Sequence, residues 1–176
     1  MAITQTAHDK TLQLPPVWCN ELEAFSIPID RPTTTGKRLL RVVLPATLAG
    51  DILDVTFKVG VTNNAGYPDG TRYTVGVGAH IWYYAYADPN GWANRKQIAD
   101  MLTGENVTPD LHHLPLGESF AWRVPADWTA GRMVLALVVD AHSTAWEVNG
   151  GGDVLIVENG YAHLRVHRWT DPPVAA

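Results

Sequence analysis

The chain reads as an all-β protein, an antiparallel β-sandwich of jelly-roll type with one short helix in a long loop. Three observations predict this. From Leu22 onward, short β-patterned runs alternate with turn chemistry. One of them, Asp51 to Val61, alternates cleanly, with Leu53, Val55, Phe57 and Val59 opposing Ile52, Asp54, Thr56 and Lys58, the signature of a half-solvated antiparallel strand. No heptad and no internal repeat competes with the β pattern, and only one stretch has helical spacing.

Taken in order, residues 1–20 are polar and then proline-rich (Leu14-Pro15-Pro16-Val17), which predicts an extended N-terminal arm. The sandwich is expected over residues 21–170, followed by a short C-terminal tail, 171–176. Leu22 to Ile29 and Lys37 to Leu44 are strands ended by Asp30-Arg31-Pro32 and by Pro45. Asn63 to Gly70 is a loop by composition. Arg72 to Tyr86 is the longest run, with Gly76 and Gly78 marking a bulge or a close backbone approach. Asp88-Pro89-Asn90-Gly91 is a turn, and Trp92 to Leu102 carries the helical spacing (Trp92, Ile98, Met101, Leu102). Thr103 to Gly117, holding Pro109 and Pro115, is expected to be a long irregular connection of the kind that carries function or interfaces. Strands resume at Ser119 to Val124, Arg132 to Asp140, Val154 to Val157 and Tyr161 to Trp169, the last two joined by an Asn-Gly hairpin at Glu158-Asn159-Gly160.

Composition bounds the function. A chain of 176 residues is one domain able to bury a core without staples. Charged residues make up 18%, below the roughly 25% of an ordinary soluble domain, so part of the surface is expected to be covered by assembly. Seven Trp and twelve Pro point the same way, toward rigid, contact-rich loops. The net charge is −5 with no basic block, which argues against nucleic acid. No apolar run approaches the ~18 residues of a membrane span, and the first ten residues lack a signal-peptide pattern, so the expected product is cytosolic until released. Cys19 alone makes neither an intrachain disulfide nor a cysteine-based zinc site.

The leading candidate site is the aromatic run His80-Ile81-Trp82-Tyr83-Tyr84-Ala85-Tyr86. Alternation places His80, Trp82, Tyr84 and Tyr86 on one side and Ile81, Tyr83 and Ala85 on the other. Rings on the first side could fill the core, form a subunit interface or stack on sugars, and the pattern leaves all three open. His80 is read as an inward-facing core histidine beside Val75 and Val77. Trp92, Arg95, Trp128 and Trp146 lie in or beside turns and have interface composition. On the last strand, His163, Arg165 and His167 share a face, but His163 and His167 sit about 13 Å apart, too far to share a metal ion. His112 and His113 adjoin Asp110, yet neighbouring side chains on extended backbone point opposite ways. Asp140-Ala141-His142 has no second ligand pair to back it, and Ser143 lacks the Gly-x-Ser-x-Gly elbow. Asn106-Val107-Thr108 matches a glycosylation sequon, but no secretory signal accompanies it. No metal, no cofactor and no catalytic residue is therefore assigned.

Thr35-Gly36-Lys37-Arg38-Leu39-Leu40 leads into an early strand and Gly50-Asp51-Ile52-Leu53-Asp54-Val55 opens the next. Gly104 to His113 fills the long loop, and Gly160-Tyr161-Ala162-His163-Leu164-Arg165-Val166 closes the fold. In this style the chain, over roughly residues 22–170, resembles the small jelly-roll proteins in virions of tailed bacteriophages: head-decoration, head-fibre and tail-appendage subunits. The resemblance implies a sandwich scaffold whose arm and loops bind neighbouring virion subunits, often around a three-fold axis. It implies as partners the major capsid or tail proteins and further copies of the chain, in a homo-oligomer such as a trimer. No catalytic residue is carried over. Two other functions suit the same fold. A carbohydrate- or receptor-binding module requires Trp82, Tyr84 or loop aromatics in an open trough. A small metal-dependent enzyme requires at least three of His80, His112, His113, Asp140, His142 and His163 in one cavity.

Overall fold

The computed structural model describes residues 37–63, 74–98, 103–108, 114–129, 131–142 and 155–170, together with short strands at 11–12, 18–21 and 27–29. In chain order the strands are β1 (Thr11–Leu12), β2 (Trp18–Glu21), β3 (Ile27–Ile29), β4 (Lys37–Thr47), β5 (Ile52–Asn63) and β6 (Val75–Ala85), then β7 (Lys96–Gln97), β8 (Thr103–Val107), β9 (Leu114–Arg123), β10 (Gly131–His142) and β11 (Leu155–Thr170).

Every pairing is antiparallel, and the strands form two sheets. The first runs β1-β11-β5-β9, with β2 and β3 also on β11; the second runs β4-β10-β6-β7, with β8 also on β6. β1, β2 and β3 lie end to end along the side of β11 that β5 leaves free, since Trp169, His163 to Val166 and Leu155 to Val157 each pair with both neighbours. β7 and β8 likewise share one side of β6. The described strands thus occupy eight positions. Numbered along the chain, the sheets read 1-8-3-6 and 2-7-4-5, which is the double Greek-key order of a jelly roll.

The alternation expected for β5 is the one observed: Leu53, Val55, Phe57, Val59 and Val61 are buried, while Lys58 is exposed and Asp54 and Thr56 are half-buried. These side chains meet Leu164 and Val166 of β11 and, from the second sheet, Val42 and Leu44 of β4, Val77, Ile81 and Tyr83 of β6, and Leu135, Leu137 and Val139 of β10 in one core. At one end the β4–β5 turn is closed by the Leu48 N–H donating to the Asp51 carboxylate at 2.9 Å. Gly50 adopts φ 85°, with its N–H on Val124 O at 3.0 Å.

Four local expectations are corrected. No helix occurs among the described residues: Gly91 to Asn94 form a turn and Lys96–Gln97 form β7, while residues 99–102 lie outside the description. Strand pairing wins there because Gln97 and Lys96 pair with Trp82 and Tyr83, and Ile98 N–H reaches Ile81 O at 3.0 Å. The connection expected from Thr103 to Gly117 contains β8 and the start of β9; β8 shows no alternation because only Val107 is buried on that edge. Glu158-Asn159-Gly160 does not reverse the chain. Both halves of β11 pair with β5, and the register jumps between Val157 and Ala162, so the segment is an insertion within one strand. The registers of β6 with β10 and β8 run unbroken through Gly76 and Gly78, so no bulge forms there.

Burial sets the expected energetics. Phe57→Ala should destabilise by about 3–5 kcal/mol, whereas Lys58→Ala on the opposite face should stay within about 0.5 kcal/mol. Gly50→Ala has open space around the new methyl and should lose only the left-handed backbone term, about 1–2 kcal/mol. Urea unfolding curves for the three variants check this, with unchanged slopes marking a change in stability alone.

Candidate functional site

Alternation along β6 splits the aromatic run as the sequence predicts, and the structure shows which side is the core. Ile81 and Tyr83 face inward; His80, Trp82 and Tyr84 stand on the outer face of the second sheet, opposite Val138, Ala136 and Val134 of β10. His80 is thus buried, but on the other side of the sheet from Val75 and Val77, and the inward placement is corrected. Direction was not readable because both faces carry aromatic rings.

Those outer residues of β10 are fully buried, Ala136 at 0% exposure and Val138 at 1%. Residues 86–98 fold back beside them. Asp88 fastens this segment: its carboxylate accepts the Asn90 N–H at 2.8 Å and the Asn94 side-chain amide at 2.8 Å, and its carbonyl accepts the Gly91 N–H at 2.9 Å. Gly91 is required, since a Cβ would lie 2.5 Å from the Tyr84 ring and 3.0 Å from two carbonyl oxygens.

The fold-back builds a chain of alternating cation and ring, Arg38–Trp92–Arg95–Trp82. The Arg38 guanidinium lies 4.9 Å from the Trp92 ring centroid, and Arg95 lies 4.2 Å from Trp92 and 4.6 Å from Trp82. Arg95 also donates from Nη1 to Trp92 O at 2.7 Å. Tyr84 meets Trp92 edge-on at 6.1 Å. Partly desolvated contacts of this kind contribute about 0.5–2 kcal/mol each. Two buried donors in the stack, Trp82 Nε1 and Arg95 Nε, have no acceptor; such a donor costs about 1–3 kcal/mol relative to a satisfied one. Beside the stack, Gln97 Nε2 donates to His80 Nδ1 at 2.5 Å, which leaves the ring proton on Nε2, directed to Asp140 Oδ2 at 2.9 Å.

Of the residues singled out from the sequence, Trp82, Tyr84, Trp92 and Arg95 therefore come together. Tyr86 is exposed at the end of the same face, with the Arg132 guanidinium 4.0 Å from its ring. Trp128 lies apart, at the end of the core: it contacts Tyr83 at 6.2 Å, and its indole N–H donates to Thr47 O at 3.1 Å. His163, Arg165 and His167 stand on the outer face of the other sheet, in register with Lys58, Thr56 and Asp54. His112, His113 and Trp146 lie outside the described residues. Arg38, Gln97 and the His80–Asp140 pairing were missed, because partners far apart in sequence leave no local signal.

The outer face of the first sheet holds an open depression of about 510 Å³, lined by Thr56, Lys58, Gly117, Glu118, Ser119 and His163 among others. Thr56 and Ser119 hydroxyls share a hydrogen bond at 3.0 Å across it. A Cβ at Gly117 would lie 2.6 Å from Phe57 O, so β9 needs glycine to approach β5 there. Among the described residues, no three His, Cys, Asp or Glu side chains gather as a metal site, and no helix is long and apolar enough to cross a membrane.

No protein-family model and no curated protein matches the chain. Among solved structures it is similar to the stem and receptor-binding domain of spike protein P1 from bacteriophage PM2, at 11% identity and TM-score 0.38, covering 81% of this chain and 66% of that one. It is also similar to the structure of infectious bursal disease virus, Gt strain, at 10% identity and TM-score 0.37, covering 91% of this chain and 43% of that one. T=1 particles derived from infectious bursal virus give 10% identity and TM-score 0.29, over 98% of this chain and 43% of that one.

Two measurements test the local energetics. A double-mutant cycle on Arg95→Ala and Trp82→Ala should return a coupling of about 0.5–2 kcal/mol. Tyr83, packed on Trp122 at 4.8 Å, has its pKa raised by burial, with the Lys96 ammonium opposing and the Asp127 carboxylate reinforcing. A raised folded-state pKa keeps its full contribution below the unfolded value of about 10 and loses it as pH climbs through the folded value. Stability should therefore fall at alkaline pH, and less steeply in Tyr83→Phe, when unfolding midpoints are compared between about pH 9 and pH 11.

Proposed function

We propose that the chain is a structural subunit of a tailed-bacteriophage virion, a capsid decoration or head-fibre protein made in the host cytoplasm, that works by surface complementarity with copies of itself and with other virion proteins. The supporting observation is the outer face of the second sheet. The sandwich there carries Trp82, Tyr84, Trp92 and four arginines, Arg38, Arg41, Arg95 and Arg132, and among the described residues no ion pair joins any of these arginines to a carboxylate. Fixed aromatic and arginine side chains with unspent hydrogen-bonding capacity have the composition of an interface centre.

A sugar platform on the same residues is disfavoured. Arg95 lies over Trp82 and both Arg38 and Arg95 lie over Trp92, so guanidinium groups hold positions a pyranose would need. For a metal-dependent enzyme, His80 and Asp140 do meet, but His163 is on the opposite sheet and the pair is closed by Gln97.

The test is the solution mass of the full chain over a wide concentration range, repeated after deleting residues 1–10, a deletion that spares β1 and β2. A closed oligomer such as a trimer, stable on dilution, is the expected result. A monomer at all concentrations, indifferent to the deletion and retained on a glycan array through Trp82, would overturn the subunit reading.

A further inference from the structure

We infer that the arginine–tryptophan stack on the outer face of the second sheet docks a carboxylate-rich polypeptide segment, an inference that rests on the interface reading above and names its partner's chemistry. The argument is electrostatic. Arg38 and Arg41 project from β4; Arg41 is in register with Ala136 and, through it, with Trp82. Arg132 stands at the end of the same face against Tyr86. Arg38, Arg41 and Arg132 are exposed, and Arg95 adds its charge beneath them.

Two described carboxylates on this side of the molecule already have partners. Asp88 binds Asn90 and Asn94, and Asp140 binds His80. Among the described residues no carboxylate is ion-paired with any of these four arginines, although the chain as a whole carries a net charge of −5. The contrast with the first sheet decides which face docks. There Lys58, Arg165 and Arg123 share the surface with Asp54 and the exposed edge residue Glu118, and among the described residues no ring holds their side chains.

On the second sheet the π-faces orient the Arg38 and Arg95 guanidiniums before any partner arrives, so less rotamer freedom is lost on binding. Stacking occupies the plane of a guanidinium and leaves its in-plane N–H donors for another group. A carboxylate accepts two of them side by side. Flexible segments of Asp and Glu provide many such groups at a spacing able to reach Arg38, Arg41 and Arg132 together.

The probe is a fluorescently labelled oligo-glutamate peptide, titrated into the full chain by anisotropy. Binding should weaken as ionic strength rises from about 0.01 M to about 0.15 M, as the Debye length falls from about 30 Å to about 8 Å. Arg38→Gln combined with Arg41→Gln should reduce affinity at least about tenfold, with the far-UV circular dichroism of the folded protein unchanged and the unfolding midpoint lowered only by the loss of the Arg38–Trp92 contact. Arg95→Lys, which keeps the charge and loses the planar fork, should also weaken it. Lys58→Gln with Arg123→Gln on the opposite sheet should leave it intact. The inference is overturned by absence of peptide binding at low salt, by equal affinity in the Arg38/Arg41 variant, or by tighter binding of a polyphosphate of equal charge. It is equally overturned if that variant dissolves an oligomer of the chain while peptide affinity is unaltered, which would make a second copy the occupant. Solution mass is read separately, so loss of peptide binding with an intact oligomer removes this inference and leaves the subunit reading standing.

Discussion

The organisation of this sandwich follows from one strand that must be dry on both faces. From Met133 to Ala141, every residue of β10 is buried, Asp140 included. Its inward residues Met133, Leu135, Leu137 and Val139 complete the core, as any central strand would. Its outward residues Val134, Ala136 and Val138 are equally apolar and face away from the other sheet. At roughly 25 cal/mol per Å² of apolar surface, leaving that floor wet would forfeit much of what the strand contributes. Something must cover it, and the aromatic side chains of β6 and the 86–98 segment lie on that face.

That requirement explains features with no other evident cause. β6 must present large side chains on both sides, Ile81 and Tyr83 to the core and Trp82 and Tyr84 to the cover. The covering segment must return close to the sheet, which Asp88 achieves by binding two asparagines and Gly91 by having no side chain against Tyr84. A cover made wholly of apolar rings would leave a sticky patch of its own. Interleaving guanidiniums with indoles solves this, because each arginine lays its flat face on a ring while keeping charge at the surface. The same solution leaves a cationic surface whose geometry is fixed by the needs of the cover, and that coincidence of stability and recognition makes the face a candidate interface.

Legibility in the sequence tracked how local each cause was. The alternation of β5 was readable because one face is dry and one wet, so Leu53, Val55 and Phe57 stand out from Asp54, Thr56 and Lys58. The two sides of the aromatic run were readable from strand periodicity alone, but not their assignment to core and exterior, since Tyr83 and Trp82 are equally aromatic. The run at Arg132 to Asp140 read as a strand, and its double burial follows only from knowing what lies above it. Trp92, Ile98, Met101 and Leu102 recur at helical spacing, yet the contacts that place Trp92, Arg95 and Ile98 are with Arg38, Trp82 and Ile81, none of which is local. Asn159-Gly160 carries hairpin chemistry, but β5 already pairs with both flanking halves of β11, and tertiary pairing prevailed over turn preference. Arg38 gave no warning at all. On its strand it is simply a polar residue facing out.

How the sandwich meets neighbours is also constrained by its edges. An open edge strand invites another strand to add to it, and proteins that must avoid this carry prolines, charges and bulges there. β9 has Pro115, which cannot donate to a ladder, and at Glu118 a charged residue in register with the core residue Phe57. β4 has Arg38, Arg41 and Pro45, and its register with β10 shifts twice. On β11, the side left free by β5 is taken by β1, β2 and β3 from the same chain. Strand addition is thus discouraged at the long edges, while the outer face of the second sheet is ring-lined and charged. The proposed docking would therefore run through side chains on a face, where arginine forks can select carboxylates, and not through backbone pairing, which would select nothing beyond an extended chain.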